Sequence, residues 1–183
     1  METERSRLVF SGSGGQGVIT AAIILAKAAA IFEGKNATQS QSYGAAARGG
    51  ATRSDVLISD AEILFPKVTQ PNILVSLTQE SYSKFAPILR PGGLLLCDSR
   101  YVTPEKKMAA QHVALPMFDT IMEEIGKPIV FNICMLGALI GLTNIVRPES
   151  IIKVLETTIS EDFMDMNKKA LNLGFKMGEA KLN

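Results

Sequence analysis

The chain has 183 residues, close to one domain at roughly 150 residues per domain, and is long enough to bury a core. Nineteen Lys and Arg against eighteen Asp and Glu leave a net charge of +1, with 20% charged and 46% hydrophobic residues; this balance excludes a disordered chain and a polybasic nucleic-acid surface. Cys97 and Cys134 are distant, belong to no CxxC pair and cannot supply the four thiolates of an iron–sulfur cluster or a structural zinc, so no metal site is predicted.

The opening METERSR leads into only four strand-like residues before the glycines, without the apolar stretch of a secretory signal, and predicts a cytoplasmic protein with reduced thiols. Arg7 to Ser11 reads as a first strand, Gly12 to Gly17 as a glycine loop, and the stretch from Val18 to near Gly34 as a helix whose apolar run, Val18 to Phe32, is too short to cross a membrane. Asn36 to Ser42 and Ala51 to Ser59 read as the second and third strands, with the small residues Tyr43 to Gly50 between them. Asn72 to Thr78 and Gly93 to Asp98 are apolar strands of the kind buried on both faces, and the helix from Glu80 to Leu89 makes them a βαβ crossover. His112 to Leu115 is the sixth strand. Helices alone follow, from Phe118 to Gly126, Ile129 to Thr143, Glu149 to Ser160 and Asp162 to the end; Pro128, Asn132, Asn144 and Pro148 mark the Ile129 helix as core, not membrane. The order predicts one α/β domain over residues 1–183: a Rossmann-like three-layer fold, a mostly parallel sheet and a C-terminal helical segment. The Val18 helix carries only Thr20 and Lys27 as polar residues, so the tail or a partner subunit must cover what one sheet face leaves bare.

Gly12, Gly14 and Gly17 fit G-x-G-x-x-G directly after a strand and at the start of a helix, where unpaired N–H groups and the helix dipole favour a phosphate. A tight turn without a ligand fits the same pattern. A nicotinamide enzyme needs an acid at the end of the second strand to hold the ribose, and NATQSQS has none, which demotes a freestanding dinucleotide-binding oxidoreductase. In the second segment, Ser42-Tyr43-Gly44 to Arg48-Gly49-Gly50, the glycines permit close backbone approach and Arg48 offers a planar fork for phosphate or carboxylate; a surface turn with a solvated Arg is equally consistent. His112, the single histidine, reads as a strand-edge residue, Asp98 as a ligand-edge or loop-starting residue, and Gly137 and Gly141 as a close helix contact.

Taken together, GSGGQG after the first strand, QSYGAAARGGATRSDVLIS and FPKVTQPNILVSLTQESYSKF resemble the gamma subunit of the 2-oxoacid:ferredoxin oxidoreductases, over about Leu8 to Val146. The Ser-Tyr-Gly form and the Phe-Pro-Lys-Val stretch are most similar to the 2-oxoglutarate type; Ala45 and Ala46 depart from the Pro and Glu common in relatives. The resemblance implies a noncatalytic subunit of a complex that oxidatively decarboxylates a 2-oxoacid, 2-oxoglutarate or pyruvate among them, with thiamine diphosphate, reduces ferredoxin and forms the acyl-coenzyme A. Thiamine diphosphate and iron–sulfur clusters would sit on alpha, beta and delta-type partners, and the lone chain would be inactive. It places this subunit beside the coenzyme A path, which makes Gly12, Ser13, Gly14, Gly15, Gln16, Gly17, Ser42, Tyr43, Gly44, Arg48, Gly49 and Gly50 the candidate coenzyme A contacts. An assembly module with no small ligand is the remaining alternative, and the isolated chain is expected to pair with itself through its bare apolar surface.

Overall fold

The computed structural model describes residues 5–42, 50–105 and 109–182. Six strands form one sheet in the order β2-β3-β1-β4-β5-β6. These are β1 (Ser6–Gly12), β2 (Asn36–Ser42), β3 (Thr52–Ser59), β4 (Ile73–Ser76), β5 (Leu94–Asp98) and β6 (Gln111–Leu115). β1, β4, β5 and β6 run parallel. β3 is antiparallel to both β1 and β2, so it alone is reversed and β2 points the same way as β1. The connection of nine residues from β2 to β3 is shorter than the dozen or so that a parallel crossover needs, so the chain can only fold straight back.

Strand alternation sorts the core onto two faces. Leu8, Phe10, Val56, Ile58, Val75 and Leu96 point into one apolar cluster, while Val9, Leu57, Leu74, Leu95 and Cys97 point into a second. Helix α2 (Gln79–Phe85) covers the second face and starts from a capping box in which Thr78 and Ser81 satisfy each other's backbone N–H. The first face carries α1 (Val18–Lys27), α3 (Met117–Glu124), α4 (Phe131–Thr143), α5 (Pro148–Thr158) and α6 (Met164–Glu179). α1 packs on β2 and β3 from one side and touches α4 and α5 on the other, so the tail supplies the cover its apolar circumference requires. α1 runs into a π-helical turn, Ala28–Phe32, before Gly34 turns left-handed at φ 65°.

α4 is apolar all round, and every residue from Phe131 to Leu142 is buried. Its closest partner is α6, and four glycines set the spacing. A methyl at Gly137 or Gly141 would overlap the carbonyl of Leu171 or Phe175 on α6, and one at Gly174 or Gly178 would overlap the carbonyl of Cys134 or Ala138 on α4. The contact expected at Gly137 and Gly141 is therefore present and reciprocal: backbone lies against backbone along two turns of each helix. Among the described residues no helix is long and apolar enough to cross a membrane.

Candidate functional site

β1 ends at Gly12, and the loop that follows is held by one side chain. Gln16 Oε1 accepts the Ser13 N–H at 2.8 Å and Gln16 Nε2 donates to the Leu77 carbonyl at 3.4 Å, tying the loop to the end of β4. Beneath it the buried Ser11 hydroxyl donates to the Val75 carbonyl at 2.8 Å and lies 3.0 Å from Ser76 Oγ. Gly17 is the N-cap of α1 in the left-handed region, φ 73°, and has no side chain with which to cap the helix. The first N–H groups of α1 are thus left to whatever lies in front of them.

The glycines divide into two groups. A Cβ at Gly12 would meet Gln16 Oε1 at 2.5 Å, and one at Gly17 would meet Asn132 Nδ2 at 2.6 Å, so both are required by the protein's own packing. At Gly14 and Gly15 a Cβ meets nothing within 4 Å. Asn132, from the first turn of α4, also donates to the Gly17 carbonyl at 3.4 Å and links the helical tail to the loop. In the sequence Asn132 reads only as a polar residue in a core helix; its position four residues past Pro128 and five before Gly137 carries no signal of that link.

Beside the loop, on the helical face, lies an apolar cleft of about 600 Å3 between α1, α4 and α6. Gly15, Gln16 and Gly17 form one end, Phe131 and Met166 the walls, and Ile129 and Phe163, 75% and 51% exposed, the lip. Tyr101 and Phe118 continue the wall edge to face, with ring centroids 5.3 Å apart, and Phe118 meets Phe131 in the same way at 5.5 Å. An uncapped helix start and an apolar groove are therefore contiguous at the carboxyl edge of the sheet, where open α/β sheets place ligands.

The second segment returns to the same edge. Register sets Thr52 opposite Gly12 and Ser42 opposite Arg53, so both ends of the 43–51 connection lie within two strands of the loop. Tyr43, Gly44, Arg48 and Gly49 lie outside the described residues. Gly50 is described, and the adjoining Ala51, Arg53 and Gln41 line a separate cleft of about 680 Å3 on the α2 face. Arg53 is committed to Asp55, at 2.6 and 2.9 Å, and to the Val68 carbonyl.

The other candidates serve the scaffold. Asp98 is fully buried at the end of β5, where burial pushes its carboxyl up and the N–H groups of Phe118 and Arg100, at 2.8 and 2.9 Å, hold it at the start of α3. His112 is on the edge strand β6, its Nε2 buried without a hydrogen-bond partner among the described residues. Cys97 and Cys134 lie in the two clusters on opposite faces of the sheet, and burial raises both thiols to about 12. Among the described residues no group of His, Cys, Asp and Glu is placed to hold a metal ion.

Residues 7–177 match the pyruvate ferredoxin/flavodoxin oxidoreductase family. The chain belongs to that family. It is 42% identical to the 2-oxoglutarate synthase subunit KorC of Methanocaldococcus jannaschii, over 96% of this chain and 95% of the relative. The crystal structure of a keto/oxoacid ferredoxin oxidoreductase gamma subunit from Geobacter sulfurreducens superposes with a TM-score of 0.88 at 42% identity, covering 97% of this chain and 98% of that one. The fold also recurs in 2-oxoglutarate:ferredoxin oxidoreductase of Magnetococcus marinus, solved with 2-oxoglutarate, coenzyme A and succinyl-CoA bound, at a TM-score of 0.88 and 22% identity over 32% of that longer chain. The reversed β3 and the Gln16-braced loop are thus set in a family scaffold, not in a dinucleotide-binding domain. In the latter the second strand neighbours the first; here β3 intervenes, and an acid at the end of β2 would stand two strand spacings from the loop.

Proposed function

We propose that this chain is the gamma subunit of a 2-oxoacid:ferredoxin oxidoreductase, most similar to the 2-oxoglutarate type, and that its glycine loop contributes to binding coenzyme A. The observation that carries this reading is the end-to-end match with a separate subunit of 2-oxoglutarate synthase at 42% identity. Residues 1–183 act as one Rossmann-like unit with a helical extension. The chain supplies no catalytic group: thiamine diphosphate and the clusters belong to alpha, beta and delta-type subunits, through which ferredoxin is reduced in the cytoplasm. Its own donors do not suit a cluster, because the two thiols are buried on opposite faces of the sheet.

Coenzyme A suits the edge described above by chemistry. Its pyrophosphate is an anion for the uncapped start of α1, and its long, weakly polar arm matches the contiguous apolar cleft. Arg48 adds a planar cation to the same set. The test is oxoacid-dependent ferredoxin reduction by the complex purified with this chain. Arg48→Ala is expected to raise the coenzyme A concentration for half-maximal rate by about ten- to a hundredfold, the loss of one charge-assisted bond. If the variant keeps its coenzyme A dependence but fails to co-purify with the other subunits, the segment serves assembly and the ligand assignment falls. Visible absorbance or ferredoxin reduction by the chain alone, supplied with iron and sulfide, would overturn the noncatalytic role.

A further inference from the structure

On the α2 face, at the edge of the sheet opposite the glycine loop, the start of β1 and the 61–70 segment enclose a cleft of about 300 Å3. Arg5, Arg7 and Lys67 line it above Leu57, Ile63 and Phe65, and among the described residues no acid does. Arg5 and Arg7 are half-buried, two positions apart. Arg5 donates to the Glu62 carbonyl at 3.1 Å, while the side chains of Arg7 and Lys67 have no ion pair or hydrogen bond among the described residues. Two half-buried guanidinium groups and an exposed ammonium that share one cleft repel one another, and a counter-charge placed among them relieves that repulsion. Next to them Leu64 and Phe65 project into solvent, 82% and 64% exposed.

We propose that this cleft docks an acidic segment of a partner protein that also carries apolar side chains. A small anion would neutralise the cations and leave Leu64 and Phe65 in water. A protein segment with Asp or Glu beside an apolar residue meets both, and charge complementarity of this kind sets register and association rate. The site lies at the amino-terminal edge of the parallel strands, so its occupant does not compete with a ligand at the glycine loop. The inference stands whether or not that loop binds coenzyme A.

The test replaces Thr69, an exposed residue at the rim, with photo-cross-linking p-benzoylphenylalanine in the full chain expressed with its native partners. The expected product is one cross-linked segment rich in Asp and Glu. Its yield should fall at least about tenfold in Arg7→Glu/Lys67→Glu and return when two acids of that segment are changed to lysine. Lys67→Glu alone, at an exposed position that leaves folding untouched, should give a smaller loss in the same direction and a matching rescue. Cross-links confined to the chain's own first four residues, to segments without an excess of acid, or unaffected by either charge reversal would overturn the proposal.

Discussion

Changing Gly17 and Gly14 separately to alanine distinguishes a glycine needed for folding from one needed for a ligand. At Gly17 the added methyl sits at φ 73°, a conformation that costs an L-residue about 1–2 kcal/mol. It also meets Asn132 Nδ2 at 2.6 Å and Cγ at 2.8 Å, so the Asn132 side chain must move and release its 3.4 Å bond to the Gly17 carbonyl, worth about 1 kcal/mol. The total of about 3 kcal/mol, at about 2–4 °C per kcal/mol for a chain of this size, lowers the melting temperature by roughly 6–12 °C. At Gly14 φ is not positive and the methyl meets nothing within 4 Å, so the melting temperature should hold within about 1 °C. If the loop receives the pyrophosphate as proposed, the added methyl limits close backbone approach there, and in the assembled complex it should weaken coenzyme A by about tenfold, or 1.4 kcal/mol. Thermal denaturation of the chain and coenzyme A titration of the complex provide the two readings. Equal destabilisation by both variants would refute the division of the loop, and an unchanged coenzyme A dependence in Gly14→Ala would refute its use by the ligand.

Gly137→Ala and Gly174→Ala force α4 and α6 apart and should each destabilise the chain by about 3 kcal/mol or more in urea titrations; a loss below about 1 kcal/mol would show that the contact gives way freely. Cys97 and Cys134, with thiols raised to about 12, should resist a disulfide reagent at pH 8 until the protein unfolds, and rapid labelling of either would contradict their burial. Burial raises the Glu33 carboxyl, but the Ser150 hydroxyl and the N–H and guanidinium of Arg147 outweigh it and hold the group below its ordinary 4.5. A lowered folded-state value gives stability that is present above the unfolded value and lost as pH falls through the folded one. Stability should therefore drop below about pH 4.5, and Glu33→Gln should flatten that limb; an identical acid limb in the variant would remove Glu33 as its source.

Periodicity and breakers made the element list legible: the five apolar strands and the five long helices lie close to where apolar runs and breakers place them. β2 was readable in spite of its polar residues because it is an edge strand with one face in water. The reversal of β3 was implicit in the short link after Ser42, yet alternation alone does not tell a hairpin from a crossover. The Gly137/Gly141 pair is visible as a packing signature, and its counterpart Gly174/Gly178 has the same spacing but sits in an amphipathic helix, where charged neighbours mask it. The glycine loop was legible as a motif. The Asn132 contact and the apolar cleft were not, because they arise where α4 returns to α1 from 115 residues further along the chain. No local pattern encodes a meeting that distant.

The glycine-to-glycine seam between α4 and α6 has a mechanical meaning for the cleft. Side chains can rotate to admit or expel a guest, but two backbones in direct contact have no such slack. The cleft walls contributed by Phe131 and Met166 therefore stand on a base of nearly constant width. Adjustment is left to the lip, where Ile129 and Phe163 ride on short 3-10 turns, Pro128–Val130 and Glu161–Phe163, outside the seam. A guest meets a rigid trough with a pliable rim, so little ordering of the protein opposes its arrival, and its fit is judged at the mouth.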